Sequence, residues 1–181
     1  GTTLVHMLEA ERLRRHPDAP AIRHTPVAQV LVIRRDAGDP PAFLGQWDER
    51  AGHFQIIGGR QKQDRDWTEP IDITAVREME EELGGQVSHA AGDFRLEHLA
   101  SFDGETRISP SFGALTAYKF TFYRAVDLQA LVLGPQDCWL SRDDLLSGQI
   151  ASGALVRGDH LPYLEQALGY SINQLPTSFR S

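Results

Sequence analysis

Arg77-Glu78-Met79-Glu80-Glu81-Glu82-Leu83-Gly84 is the stretch on which the reading of this chain turns. On a helix of about 100° per residue, Ile71, Ala75, Met79 and Leu83 share one apolar stripe, flanked by Val76. Glu78, Glu81 and Glu82 fall on the adjacent face, and Glu80 points away from them. Spacings of three and four residues bring such carboxylates within a few ångströms of one another. Each close pair of like charges costs on the order of a few kcal/mol unless a cation intervenes. Hard divalent cations with oxygen ligands are the natural compensation. A glutamate run taken alone is more often a solvated helix face, so its surroundings decide.

Working outward, a helix is expected from about Pro70 to Leu83, with Thr68 as N-cap and Gly84-Gly85 as the stop. A long polar loop, Arg60 to Trp67, precedes it. Upstream, Val27 to Ile33 is a β-branched apolar run that reads as a buried strand. Phe43-Leu44 and His53 to Ile57 read as the next strands, the second closed by Gly58-Gly59, with a turn over Asp36 to Pro41. Downstream, Arg95 to Phe102 and Ala117 to Val126 read as strands, with Tyr118, Phe120 and Phe122 on one face of the latter. Cys138-Trp139-Leu140 is a short strand before a helix capped near Ser141. Helices are also expected over Leu4 to Arg15, stopped by His16 to Pro20, and over Asp159 to Leu168. Strands outnumber helices without alternating with them, which predicts an α+β fold with helices on the faces of a mixed sheet. The division expected is a helical extension over 1–25, a domain over 26–150, and a C-terminal helix and tail over 151–181.

A chain of 181 residues with 41% hydrophobic content can build one core. Its net charge of −7 argues against a general nucleic-acid binder. One cysteine, Cys138, rules out an intramolecular disulfide. No apolar run approaches a membrane span, and the N-terminus lacks the apolar core of a secretion signal. A cytoplasmic location is the expectation.

Around the glutamates, Glu69 stands eight residues before Arg77, and Glu69, Arg77, Glu78, Met79, Glu81, Glu82 and Gly84 fall in a fixed order. This resembles the Nudix box, Gly-x5-Glu-x7-Arg-Glu-U-x-Glu-Glu-x-Gly-U, with U a bulky aliphatic. The resemblance covers about residues 26–150. Two positions depart from it: Gln63 stands where the first glycine is expected, and Gly85 stands at the last U. Gly59 reads as the displaced glycine, which makes the loop four residues longer.

The resemblance implies a Nudix-like mixed β-sheet sandwich flanked by helices. It implies hydrolysis of a diphosphate in a nucleotide-type small molecule, such as a nucleotide sugar, dinucleotide or nucleoside triphosphate. It further implies magnesium, with manganese as the alternative, held by Glu78, Glu81, Glu82 and the Gly59 carbonyl. Arg77 would orient the carboxylates and Glu69 would pair with Arg77. Glu78 is the first candidate for the general base; Asp137 and Glu105, read as loop acids, are the others. Arg60 and Arg107 are candidate phosphate contacts, as are Lys62 and Arg65 in the lengthened loop. Trp47, Trp67 and Trp139 read as core or as stacking platforms, His53 and Cys138 as structural, and His160 opens the last helix with no evident partner in the sequence. The apolar residues of the first and last helices need a surface, either their own domain or a second copy in a homodimer. The competing function is a Nudix-like module that binds a nucleotide without turning it over.

Overall fold

The β-branched run over Val27–Ile33 is divided between two strands, β1 (Arg23–Leu31) and β2 (Ile33–Arg34), in a computed structural model that describes residues 3–34, 41–128, 131–158 and 160–171. β1 begins before its apolar run because pairing holds Arg23 to Pro26: they lie parallel beside Thr116 to Lys119 of β7 (Leu115–Val126). The remaining strands are β3 (Ala42–Asp48), β4 (His53–Ile56), β5 (Gly58–Arg60), β6 (Arg95–Ile108) and β8 (Asp137–Ser141). The helices are α1 (Leu4–Arg15), α2 (Ile71–Glu82), α3 (Arg142–Ser147) and α4 (His160–Leu168). Residues 36–40 of the expected turn, Asp159 and the tail from residue 172 lie outside the described residues.

One sheet has the order β5-β1-β7-β6, with β1 parallel to β7 and the other pairs antiparallel. In the second, β3 pairs antiparallel with β2, β4 and β8. The sheets are joined where the Val30 amide donates to the Ile57 carbonyl (2.8 Å) and the Leu44 amide to the Val32 carbonyl (2.9 Å). Alternation along β1 sends its side chains to two cores. Ala28 and Val30 pack with Ala75, Met79 and Leu83, the stripe read from the sequence of α2. Leu31 packs on the other side with Phe122, Phe43, Phe54 and Leu140.

That second core is completed by residues the sequence boundary at 150 set apart. Val156, Leu164 and Ala167 are buried in it. The Phe54 amide donates to the Leu155 carbonyl (2.8 Å) and the Arg157 amide to the Phe54 carbonyl (2.9 Å). His160 has a partner that the sequence did not suggest: its buried ring accepts the Ile56 amide at Nε2 (3.2 Å). α1 docks differently from the apolar contact expected of it. Leu4, Val5, Met7 and Leu8 are exposed, and the buried residue of the helix is Glu9, which accepts the Leu115 amide (2.9 Å) and pairs with Arg12.

Met79 is fully buried where α2 crosses β1. Met79→Ala is expected to lower the unfolding free energy by about 2–4 kcal/mol through the cavity it leaves, measured by urea unfolding with an unchanged m value.

Candidate active site

The lengthened loop folds back on itself. The Glu69 amide donates to the Lys62 carbonyl (2.9 Å), Gln63 and Thr68 pair in an antiparallel bridge, and the Asp64 amide donates to the Trp67 carbonyl (2.7 Å). Asp64 to Trp67 therefore form the tip of a small hairpin, and Trp67 is exposed there rather than in the core. The added residues leave the Glu69 end of the loop in place. Thr68 is engaged in this hairpin and does not cap α2. Pro70 holds the cap position without a side-chain bond, and its carbonyl accepts the Thr74 amide (3.0 Å).

The hairpin delivers Glu69 to α2, where it is buried. Arg77 Nε donates to Glu69 Oε2 (2.8 Å) and Nη2 to Glu69 Oε1 (2.9 Å), a two-pronged charge-assisted pair. The Thr74 hydroxyl (2.6 Å) and the Lys62 amide (3.3 Å) also donate to Glu69. Held chiefly by Arg77, against the opposing effect of burial, the Glu69 carboxyl is drawn from 4.5 down to about 2. Arg77 also donates to Glu78 Oε1 (3.0 Å) and to the Arg60 carbonyl (3.1 Å), and lies 3.5 Å from Glu81. The guanidinium thereby ties α2 to β5. Gly59 sits under this knot: a Cβ added there would collide with the Glu78 carboxylate. The contact places Gly59 beside Glu78.

Burial raises the proton affinity of Glu78, and the charges of Glu81 and Glu82 add to the effect, while Arg77 opposes it. Glu82 is raised by desolvation, then by Glu81, Asp48 and Asp137. Glu81 extends into solvent. Among the described residues, no three acidic, histidine or cysteine side chains already converge as a metal cage. Glu78, Glu81 and Glu82 are thus electrostatic neighbours, with Glu78 turned to Arg77.

Glu82 borders two adjoining hollows, of about 660 and 370 Å³, that share Gln46 and Trp47. Asp137 stands on the wall of the larger one, at the start of β8 rather than in a loop. Its carboxylate accepts from Gln46 Nε2 (2.9 Å) and the Gly134 amide (2.7 Å). Gln46 and Asp48 were not singled out by the sequence, because only the pairing of β3 with β4 and β8 brings them to the cleft. Trp47 packs edge-on against Phe54 (5.1 Å) and also lines the cleft. Trp139 packs beside the α2 core. Glu105 is not in a loop. It lies on β6, with its amide donating to Tyr163 of α4 (3.0 Å), and β7 and β1 separate it from β5. Arg60 ends β5, and Arg107 lies on β6 over the Tyr118 ring.

Comparison with protein-family models gives no match, and neither does comparison with curated proteins. Solved structures do resemble the chain. The Ap4A hydrolase of C. elegans aligns over 80% of this chain and 96% of its own, at 14% identity and a TM-score of 0.54. The dihydroneopterin triphosphate pyrophosphohydrolase of E. coli aligns over 82% and 95%, at 16% identity and 0.53. A mutT/nudix family protein of Listeria innocua aligns over 83% and 94%, at 16% identity and 0.51. The chain has the Nudix fold, the mixed α+β architecture expected from its sequence. Among the described residues no helix is long and apolar enough to cross a membrane.

Because the Glu69 carboxyl is lowered on folding, its contribution to stability is complete above 4.5 and is lost as the pH falls toward about 2. Urea unfolding at successive pH values should show the native protein losing on the order of 2 kcal/mol more across that window than Glu69→Gln, with screening allowed for.

Proposed function

We propose that the chain is a magnesium-dependent hydrolase that cleaves a diphosphate linkage in a nucleotide-type small molecule. The observation that carries this reading is the Arg77 knot. It fixes Glu69, Glu78 and the Arg60 carbonyl together and presses the Glu78 carboxylate onto Gly59. Such a knot holds a row of like charges in place at a strand end, which stability alone gives no reason to do. The fold supports the reading, since two of its structural neighbours are a hydrolase of Ap4A and a pyrophosphohydrolase of dihydroneopterin triphosphate.

The donor set suits a hard divalent cation. Glu78, Glu81, Glu82 and the Gly59 carbonyl offer only oxygen, and the carboxylates repel one another. These four would hold magnesium, or manganese in its place. Such a cation would supply charge neutralisation to the diphosphate and Lewis acidity toward the attacking water. Glu69 and Arg77 keep the glutamate row oriented. Glu78 accepts the proton of the attacking water, while Gln46 and the Gly134 amide hold Asp137 at the cleft wall. Glu105 has no part in this reading, being bound toward α4.

With magnesium and a panel of nucleotide sugars, dinucleotides and nucleoside triphosphates, turnover should appear with at least one class and stop with chelator. The doubly substituted Glu81→Gln, Glu82→Gln protein should lose at least about a hundredfold in kcat. Arg77→Lys, which cannot form the two-pronged pair, should lose about ten- to a hundredfold. Tight binding of a nucleotide with no turnover under any of these conditions would instead make the chain a binding module.

A further inference from the structure

A group of arginines on the first sheet takes no part in the steps proposed for the glutamate row. β1 sends Ala28 toward α2 and Arg23, Thr25 and Gln29 to the opposite face. Arg107, Thr116 and Arg23 form one row across β6, β7 and β1, with Tyr118 beside Thr25 in the next row and Arg60 beside Val27 in the one after. The guanidinium of Arg23 lies 3.3 Å from the centroid of Phe112, that of Arg60 lies 5.2 Å from the same ring, and that of Arg107 lies 5.3 Å from Tyr118. The three cations thus gather around two aromatic rings.

No carboxylate among the described residues forms an ion pair with any of the three. Burial and the charge of Arg60 pull the Arg23 guanidinium below its ordinary range. The floor between them is also unsatisfied. Arg23 Nη1 and Thr25 Oγ1, both able to donate, are buried without a hydrogen-bond partner, and Thr25 is only 5% exposed. Buried polar atoms are normally paired. Clustered guanidinium forks beside an unpaired hydroxyl are completed by an oxyanion with several acceptor oxygens.

We propose that this face is an anion subsite that receives a second phosphoryl group of the substrate, one beyond the diphosphate that is cleaved. The proposal rests on the hydrolase reading for the position of that diphosphate. Arg60 directly follows Gly59 on β5, the edge strand of the sheet, and gives Arg77 its carbonyl, so a molecule that bends around this edge meets the glutamate row on one side and the arginines on the other. A phosphomonoester or a polyphosphate end suits the three forks better than a single carboxylate. The cations form an island on a chain of net charge −7, not the extended stripe that a nucleic-acid strand needs.

The test uses inorganic pyrophosphate as probe, with chelator present, followed by calorimetry. The native protein should bind it. Arg23→Gln and Arg107→Gln should each weaken binding by about tenfold or more, and Arg95→Gln, at an arginine of the same strand as Arg107 but paired with Asp127, should leave it unchanged. Arg107 is only partly buried, so its variant covers the case in which Arg23→Gln fails to fold. In the presence of magnesium, substrates matched with and without a terminal phosphate should separate: Arg107→Gln lowers kcat/KM about tenfold for the first and leaves the second unchanged. Absent binding, equal binding by native and variant proteins, or displacement of pyrophosphate by a much tighter oligonucleotide overturns the proposal. Arginine-dependent binding without turnover of any diphosphate overturns the hydrolase reading and leaves the anion site standing.

Discussion

The two-pronged bond between Glu69 and Arg77 is the interaction on which the rest of this site depends. Neither partner is positioned by its own helix turn alone. Glu69 is set by the base of the hairpin, through the Lys62 backbone and the Thr74 hydroxyl, and Arg77 by its reach to the Arg60 carbonyl. Three successive segments, β5, the hairpin and α2, are thereby registered against one another. The glutamates that follow inherit their positions from that registration. A bidentate ion pair has a fixed plane and two fixed distances, so it orients in a way that packing of Ala75 and Met79 does not.

The second constraint is steric. α2 runs close enough to β5 that the Glu78 carboxylate occupies the space a side chain at position 59 would need. The close approach depends on the apolar contact of Ala75 and Met79 with Ala28 and Val30 beneath it. One strand, β1, therefore serves both purposes. Its inner face supports the acidic helix, and the opposite face carries a cationic surface before passing into the second core at Leu31.

Much of this was legible in the sequence where a single local pattern sufficed. The stripe of Ala75, Met79 and Leu83 and the shared face of Tyr118, Phe120 and Phe122 on β7 follow from period alone, and the end of α1 from the prolines after it. The motif order identified Glu69 and Arg77 as partners before any distance was known. The rest depended on pairing between distant segments. The sequence could not show that Arg23 belongs to β1, since the strand is extended there by β7 and not by hydrophobicity. Nor could it show Asp137 secured by Gln46, His160 under the Ile56 amide, or Thr68 spent in a hairpin rather than in a cap. Glu105 misled for the same reason: Asp103-Gly104-Glu105 has the composition of a turn, yet it lies in β6, where the pairing with β7 shifts register.

The backbone of residues 155–157 runs along the free side of β4, and His160 fills the last open donor there. An uncovered strand edge is a template for another chain. The segment therefore works as a guard against self-association: it spends the hydrogen-bonding capacity of that edge within the molecule. Nε2 acts there as an acceptor, so the guard is closed by a side chain rather than by a further strand. The segment that follows α3 thus closes the β4 edge of the second sheet, which β8 bounds on the other side.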